Sequence, residues 1–291
     1  MIMKKFFRKL FDYLISLLFV FPAKIFGYNV TYTVLPLNYR PPHLKFNYPG
    51  TINLNIGSGS YVIEGFKSLD ILSENYYPDE SVFHDERIKY DIRKDTIPFG
   101  NETVDNIYIS HVIEHIETQH VKKFLTESLR VLKPKGVLRI ATPDAKFLYY
   151  VSQFENDYWT WRHGSMWNDK FYTTNWDIIE QYDFFVRETS SPRSRFYKYK
   201  IDNKVFDIQD IKHLSFEEYR ELATKDLEYR EDRSSDHINI WDFERLNELG
   251  TSIGFSKVFE SKHKGSVSKV MQNNEIDRTA PQMSLYVEMI K

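Results

Sequence analysis

Between residues 51 and 144 one pattern recurs: a short apolar run that ends on a glycine, a carboxylate or a histidine. Residues 51–60 read TINLNIGSGS, with Ile52, Leu54 and Ile56 spaced as a buried strand requires and Gly57-Ser58-Gly59 directly after. Residues 66–71 (FKSLDI) predict a second strand ending at Asp70 and Ile71, and 88–92 (IKYDI) a third ending at Asp91 and Ile92. Residues 104–110 (VDNIYIS) predict a fourth, ending in Ser110 and followed by HVIEH at 111–115. A fifth, 137–142, is stopped by Pro143-Asp144. Between the fourth and fifth, Thr118 is placed to cap a helix with Val121, Phe124, Leu125, Leu129 and Leu132 on its buried stripe, and KPKG at 133–136 breaks it. Strands alternating with helical segments predict a parallel α/β sheet, whose ligands bind at the carboxyl ends of the strands. Gly57, Asp70, Asp91, His111 and Asp144 all fall at such ends, so one ligand cleft is expected there.

The chemistry of that cleft is bounded by what is missing. A dinucleotide site of the G-x-G-x-x-G kind needs a third glycine at position 62, which is Val62. An NAD or FAD site is therefore disfavoured, although Asp70 is placed to take both hydroxyls of a ribose. The chain has no cysteine, which removes thiolate nucleophiles, disulfides and Cys-ligated metal sites together. An Asp/Glu/His metal site is compatible with the composition, but no histidine or carboxylate run has a convincing ligand spacing and no metal is predicted. Lys plus Arg is 39 against 41 acids, a net charge of -2, so no nucleic-acid partner is expected.

The ends of this core differ from it. Residues 1–27 form an amphipathic pattern with Lys4, Lys5, Arg8 and Lys9 gathered on the polar face. Three readings stand: a helix lying on an anionic membrane, a helix packed on the protein's own body, or a secretory signal without a clear cleavage site. Residues 28–50 are proline-rich and read as a linker, and 51–150 as the cofactor-binding core. Residues 151–235 exceed what the core needs. They carry WTWRHG, NW and SPRSRFYKYK, with Arg193, Arg195, Lys198 and Lys200 suited to a phosphate or anionic glycan, or else to a solvated basic loop over an aromatic mini-core. Within them Ser215 and Glu218 make a capping box. Residues 236–291 close the fold with a helix and two strands.

Four segments, LNIGSGS (54–60), SLDI (68–71), YDIRKDTIPFGNETVDNIYISHVIEHI (90–116) and RVLKPKGVLRIATPD (130–144), together resemble class I S-adenosylmethionine-dependent methyltransferases, in family order and spacing. The resemblance is closest to the branch associated with bacterial polysaccharide and glycan biosynthesis, whose tail HINIWDFERLNELGTSIGFSKV (237–258) also resembles. It implies a Rossmann-like α/β fold, a mostly parallel seven-stranded sheet flanked by helices, here with an aromatic-rich insertion. It implies S-adenosylmethionine as cofactor, with Gly57, Ser58 and Gly59 around the methionine, Asp70 and the adjoining Ile71 at the ribose, Asp91 and Ile92 at the adenine, and Ser110 and His111 at the sulfonium end. Asn55 stands where the family carries an acid and is counted with the cofactor residues, and Tyr61 stands at the usual third glycine.

Methyl transfer to a hydroxyl calls for a general base, and His is the side chain suited to it near neutral pH. His111, His115, Asp144 and His237 are the candidates, although His115 reads equally as a loop-fixing residue and Asp144 as a helix cap. The expected activity is O-methylation of a glycan or glycan precursor, with the acceptor lipid-linked if residues 1–27 meet a membrane. The protein is then expected in the cytoplasm, peripheral on the inner face of the membrane. Two alternatives stay open: a non-catalytic scaffold of the same fold, motivated by Asn55 and Tyr61, and a small-molecule or lipid methyltransferase.

Overall fold

The computed structural model describes residues 50–71, 87–153, 178–194 and 211–291. All of them lie in the compact unit Lys45–Lys291. The amphipathic segment 1–27, the linker up to residue 49 and the aromatic motifs at 159–164 and 175–176 lie outside the described residues. So do Arg195, Lys198 and Lys200.

Seven strands form one sheet: β1 (Asn53–Ile56), β2 (Lys67–Asp70), β3 (Ile88–Lys89), β4 (Val104–Ser110), β5 (Leu132–Pro143), β6 (Lys257–Glu260) and β7 (Ser284–Ile290), in the order β3-β2-β1-β4-β5-β7-β6. β1 pairs in parallel with both β2 and β4, β2 with β3, and β4 with β5. β7 is antiparallel to β5 and to β6, so it alone runs against the rest. The central strands are buried almost without a break, asparagines included, because both faces of the sheet are covered. Leu54, Ile56, Ile107, Ile109, Leu138 and Ile140 are all buried in one core, each such side chain contributing about 1.5–3 kcal/mol when fully buried.

Five described helices accompany the sheet: α1 (Thr118–Val131), α2 (Ala145–Gln153), α3 (Ile178–Thr189), α4 (Phe216–Thr224) and α5 (Phe243–Ile253). The apolar stripe of α1 points inward through Val121, Phe124 and Leu125. Asp242 caps α5 by accepting from the Arg245 amide at 2.7 Å, and Gly254 ends it at φ +115°. The capping box is present, Ser215 accepting from the Glu218 amide while Glu218 accepts from the Ser215 amide. Around α2, α3 and α4 the insertion builds a second core from Tyr149, Phe184, Phe185, Phe216 and Tyr219. Its described aromatic side chains pack on one another, and Arg193 donates to the carbonyls of Ala223 and Lys225.

Several local expectations are corrected. The third strand is two residues long, because after Lys89 the chain turns and the Asp91 amide donates to the Asp95 carboxylate. Thr118 is the first residue of α1 rather than its cap; Glu117 is the N-cap, and the Thr118 hydroxyl accepts from Arg245 instead. KPKG ends α1 but does not stand clear of the sheet. β5 begins at Leu132, paired with Val104, and a register shift with Lys135 at φ +67° absorbs the turn.

Candidate functional site

The site lies where the topology requires, at the carboxyl ends of β1, β2 and β4. The turn after β1 places Gly57 at φ +63° and Gly59 at φ +55°. A Cβ at Gly57 would stand 2.3 Å from Val112 Cγ2, so the turn needs glycine both for its dihedral and for its space. Gly57→Ala is expected to lose about 1–2 kcal/mol from the left-handed backbone alone. In a chain of this size that lowers Tm by roughly 2–8 °C. Adding Val112→Ala should relieve the contact and leave the dihedral strain, so thermal melting of the double variant is expected to fall between wild type and the single change. Equal melting of all three proteins would refute the tight-turn reading.

Asp70, 5% exposed, ends β2 and accepts from the Gly59 amide at 2.6 Å. Gly57, Asp70, Ile71, Asp91, Ile92 and His111 share one cleft of about 580 Å³ including its mouth. Six of the residues that the sequence pointed to for the cofactor thus line one cavity. A wall of that cleft was not anticipated. Arg93 donates from Nε at 3.0 Å and from a terminal nitrogen at 2.8 Å to the two oxygens of Asp91, and its guanidinium lies 3.6 Å from the centre of the Tyr229 ring. Burial works against charge on Asp91, but the Arg93 hydrogen bonds outweigh it and hold the carboxyl below its ordinary range. Asp91 thus faces the cleft as half of an ion pair.

Of the remaining cofactor candidates, Asn55, Ser58 and Ser110 line an adjoining cavity of about 360 Å³ together with Tyr61, while Gly59 lines neither cavity. Asn55 donates from Nδ2 to the Tyr61 carbonyl at 3.3 Å, so the residue at the usual acid position ties the glycine turn to its own strand. Arg278 stacks over the Tyr61 ring at 4.4 Å and pairs with Glu275 at 2.9 Å. Tyr61 is accommodated as a stacking surface at the side of the cavity.

After β4 the backbone is strained: His111 sits at φ +54°, outside the range most side chains prefer. The next turn, Ile113–His115, is a short 3-10 helix. It buries Glu114 to 2% exposure. Thr142 donates to Glu114 Oε2 at 3.2 Å. Oε1 faces imidazoles: His111 Nδ1 at 3.1 Å, too far off line for a good hydrogen bond, and His115 Nε2 at 3.9 Å. His237 joins them, its ring centre 4.9 Å from that of His115. It is held there by the end of α3, its Nδ1 meeting the Glu188 carbonyl at 2.7 Å and its amide donating to Ser191. Burial would raise the Glu114 carboxyl, but the facing imidazoles, His111 foremost, prevail and hold it at about 2. Burial pushes both His115 and His237 down, against the pull of Glu114. Three of the proposed catalytic residues are thus gathered around Glu114. Asp144 is not among them; it accepts from the Phe147 amide at 3.0 Å as the cap of α2, and burial raises its carboxyl.

Residues 67–140 match the family model described as a methyltransferase domain. No curated protein matches the chain. Among solved structures, a SAM dependent methyltransferase from Archaeoglobus fulgidus is 14% identical over 84% of this chain and 87% of its own, with a TM-score of 0.40. Another from Aquifex aeolicus is 14% identical over 83% and 82%, with a TM-score of 0.36. The strand order is that of the Rossmann-like class I methyltransferase fold, and the matched residues 67–140 make its centre a methyltransferase domain, for which S-adenosylmethionine is the cofactor. The residues present fit that cofactor. The glycine cradle that a Cβ would fill, and the buried acid at the end of β2, both open on the cleft. Among the described residues, no helix is long and apolar enough to cross a membrane.

Proposed function

We propose that this enzyme O-methylates a glycan or glycan precursor. The observation that carries the hydroxyl as acceptor is the group of buried Glu114 with half-buried His115 and His237 beside the cofactor cleft, which His111 and His115 also line. S-adenosylmethionine supplies, when bound, a methyl group on a positively charged sulfur. Asp70 would hold the ribose, Asp91 with Arg93 and Tyr229 would flank the adenine, and Gly57, Ser58 and Ser110 would surround the amino-acid end. An attacking hydroxyl oxygen must lose its proton as it bonds to the methyl carbon. The imidazoles around Glu114 are the groups suited to that task, and burial keeps water from competing. The insertion contributes directly, since the carbonyl of Glu188 in α3 orients His237.

The glycan class rests on the family branch that the motifs resemble, on the aromatic content of residues 151–235 and on the basic run Arg193, Arg195, Lys198 and Lys200 within them. The basic amphipathic segment 1–27 favours a lipid-linked acceptor. The test is transfer of radiolabelled methyl from S-adenosylmethionine to a panel of free sugars, nucleotide sugars, lipid-linked glycans, quinols and small phenols. Label is expected in the glycan arm as an alkali-stable ether. Label only in the quinol or phenol arms would overturn the glycan assignment.

A further inference from the structure

The group around Glu114 has a property that general-base chemistry leaves unexplained. His115 Nδ1 lies 3.0 Å from the Asp236 carbonyl oxygen, and His237 Nδ1 lies 2.7 Å from the Glu188 carbonyl oxygen. A carbonyl oxygen only accepts, so both Nδ1 atoms carry hydrogen. In the neutral rings each Nε2 is then a lone pair. Ligand atoms of His115, His237 and Glu114 converge to within 4.8 Å of one another. The His115 Nε2 lone pair lies 3.9 Å from Glu114 Oε1, and that buried oxygen has no hydrogen bond in good geometry, so the cluster offers donor atoms that a cation would satisfy. Backbone carbonyls fixing Nδ1–H so that Nε2 points inward is also how proteins orient metal-binding histidines.

We infer that Glu114, His115 and His237 form a binding site for a divalent transition-metal ion, through the carboxylate and the two Nε2 atoms. A tetrahedral ion with arms of about 2.1 Å sets its ligand atoms roughly 3.4 Å apart. The widest pair must close by about 1.4 Å, within reach of small side-chain rotations. Two imidazoles and one carboxylate favour zinc, cobalt, nickel or iron(II) over magnesium or calcium, which prefer oxygen. The three ligands leave a coordination position open beside the cleft, where an acceptor hydroxyl bound to the ion would lose its proton more readily. This role rests on the methyl-transfer reading and, with His115 and His237 on the ion, leaves His111 as the imidazole that takes the proton; the binding site itself does not rest on it.

The probe is Zn²⁺ or Co²⁺ alone, added to the full chain after chelation and removal of chelator. Calorimetry reads the stoichiometry, and the visible absorption of Co²⁺ reads its coordination. Binding of S-adenosylhomocysteine is measured on the same samples. One ion per chain is expected, bound at least tenfold more weakly by His237→Ala and by His115→Ala, with a Co²⁺ spectrum indicating low coordination number. His237→Asp, which restores a ligand atom, should recover part of the affinity. If folded wild type takes up no stoichiometric ion, or if both alanine variants bind as wild type does, the site is overturned and a shared proton is the cation at Glu114. Loss of S-adenosylhomocysteine binding with metal uptake intact would instead count against the cofactor assignment and leave the metal site standing.

Discussion

Replacing Arg139 by methionine is expected to destabilise the fold by about 3–5 kcal/mol, the usual cost of removing one partner from a buried ion network. Arg139 is fully buried on β5. Nε and one terminal nitrogen fork onto Asp277 at 3.0 and 2.6 Å. The other terminal nitrogen reaches Glu288 at 3.1 Å and Ser261 at 3.0 Å, and the Lys262 carbonyl accepts at 2.7 Å. Every N–H of the guanidinium is used. Asp277 and Glu288 are themselves fully buried and also accept from the amides of Lys264 and Val267. Methionine would fill the volume and leave two carboxylates in the interior facing no cation. Lysine would keep the charge and lose the fork, so Arg139→Lys should fall between. Denaturant unfolding measures both. A change below 1 kcal/mol for Arg139→Met would mean that the network is not a determinant of stability. Adding Asp277→Asn and Glu288→Gln should return part of the loss, since the buried charges are then gone. The network also bears on the site: the Asp277 amide donates to the Tyr108 hydroxyl at 2.9 Å, and Tyr108 lines the cavity with Ser58, Ser110 and Arg278.

The sequence carried a signal for that network, an arginine inside the otherwise apolar run VLRIAT and a glutamate inside SLYVEMI. What it could not carry was their register, Arg139 opposite Glu288 on antiparallel strands. The same division runs through the whole molecule. Strand identities and the glycine turn were legible because they depend on local spacing: Leu54 and Ile56 buried, Gly57 next in line. The position of Asp70 was legible because it stands at the end of a strand beside that turn. The cap of α1 was not, because Arg245 and Asn239, far along the chain, both donate to the Thr118 hydroxyl. Nor was the arrangement around Glu114. His111 stands at a strained backbone position and His115 in a 3-10 turn, conformations that local spacing does not announce. His237 reaches them only because α3 and the residues after it hold its ring. Catalytic groups assembled from distant segments leave no spacing to read.

Asp70→Ala should weaken S-adenosylmethionine binding by about a hundredfold or more. A carboxylate accepting both ribose hydroxyls makes two charge-assisted hydrogen bonds, each worth about 1.5–3 kcal/mol. Their joint loss, about 3 kcal/mol, corresponds to a factor of roughly 150 in affinity. The variant also removes the acceptor of the Gly59 amide, so a looser glycine turn is a competing cause of any loss. The two causes separate with an S-adenosylhomocysteine analogue that lacks the ribose hydroxyls. If Asp70 holds those hydroxyls, the analogue binds wild type weakly and binds the variant about equally weakly, so that the two losses do not add. If Asp70 only shapes the turn, the analogue loses affinity in the variant by as much as the full ligand does. Calorimetry of both ligands on both proteins decides between them, and additive losses would remove Asp70 from the ribose site. Asp70→Asn refines the result: an amide keeps one acceptor for the Gly59 N–H and gives up the charge. Its affinity should therefore lie between wild type and alanine, with most of the turn's stability retained.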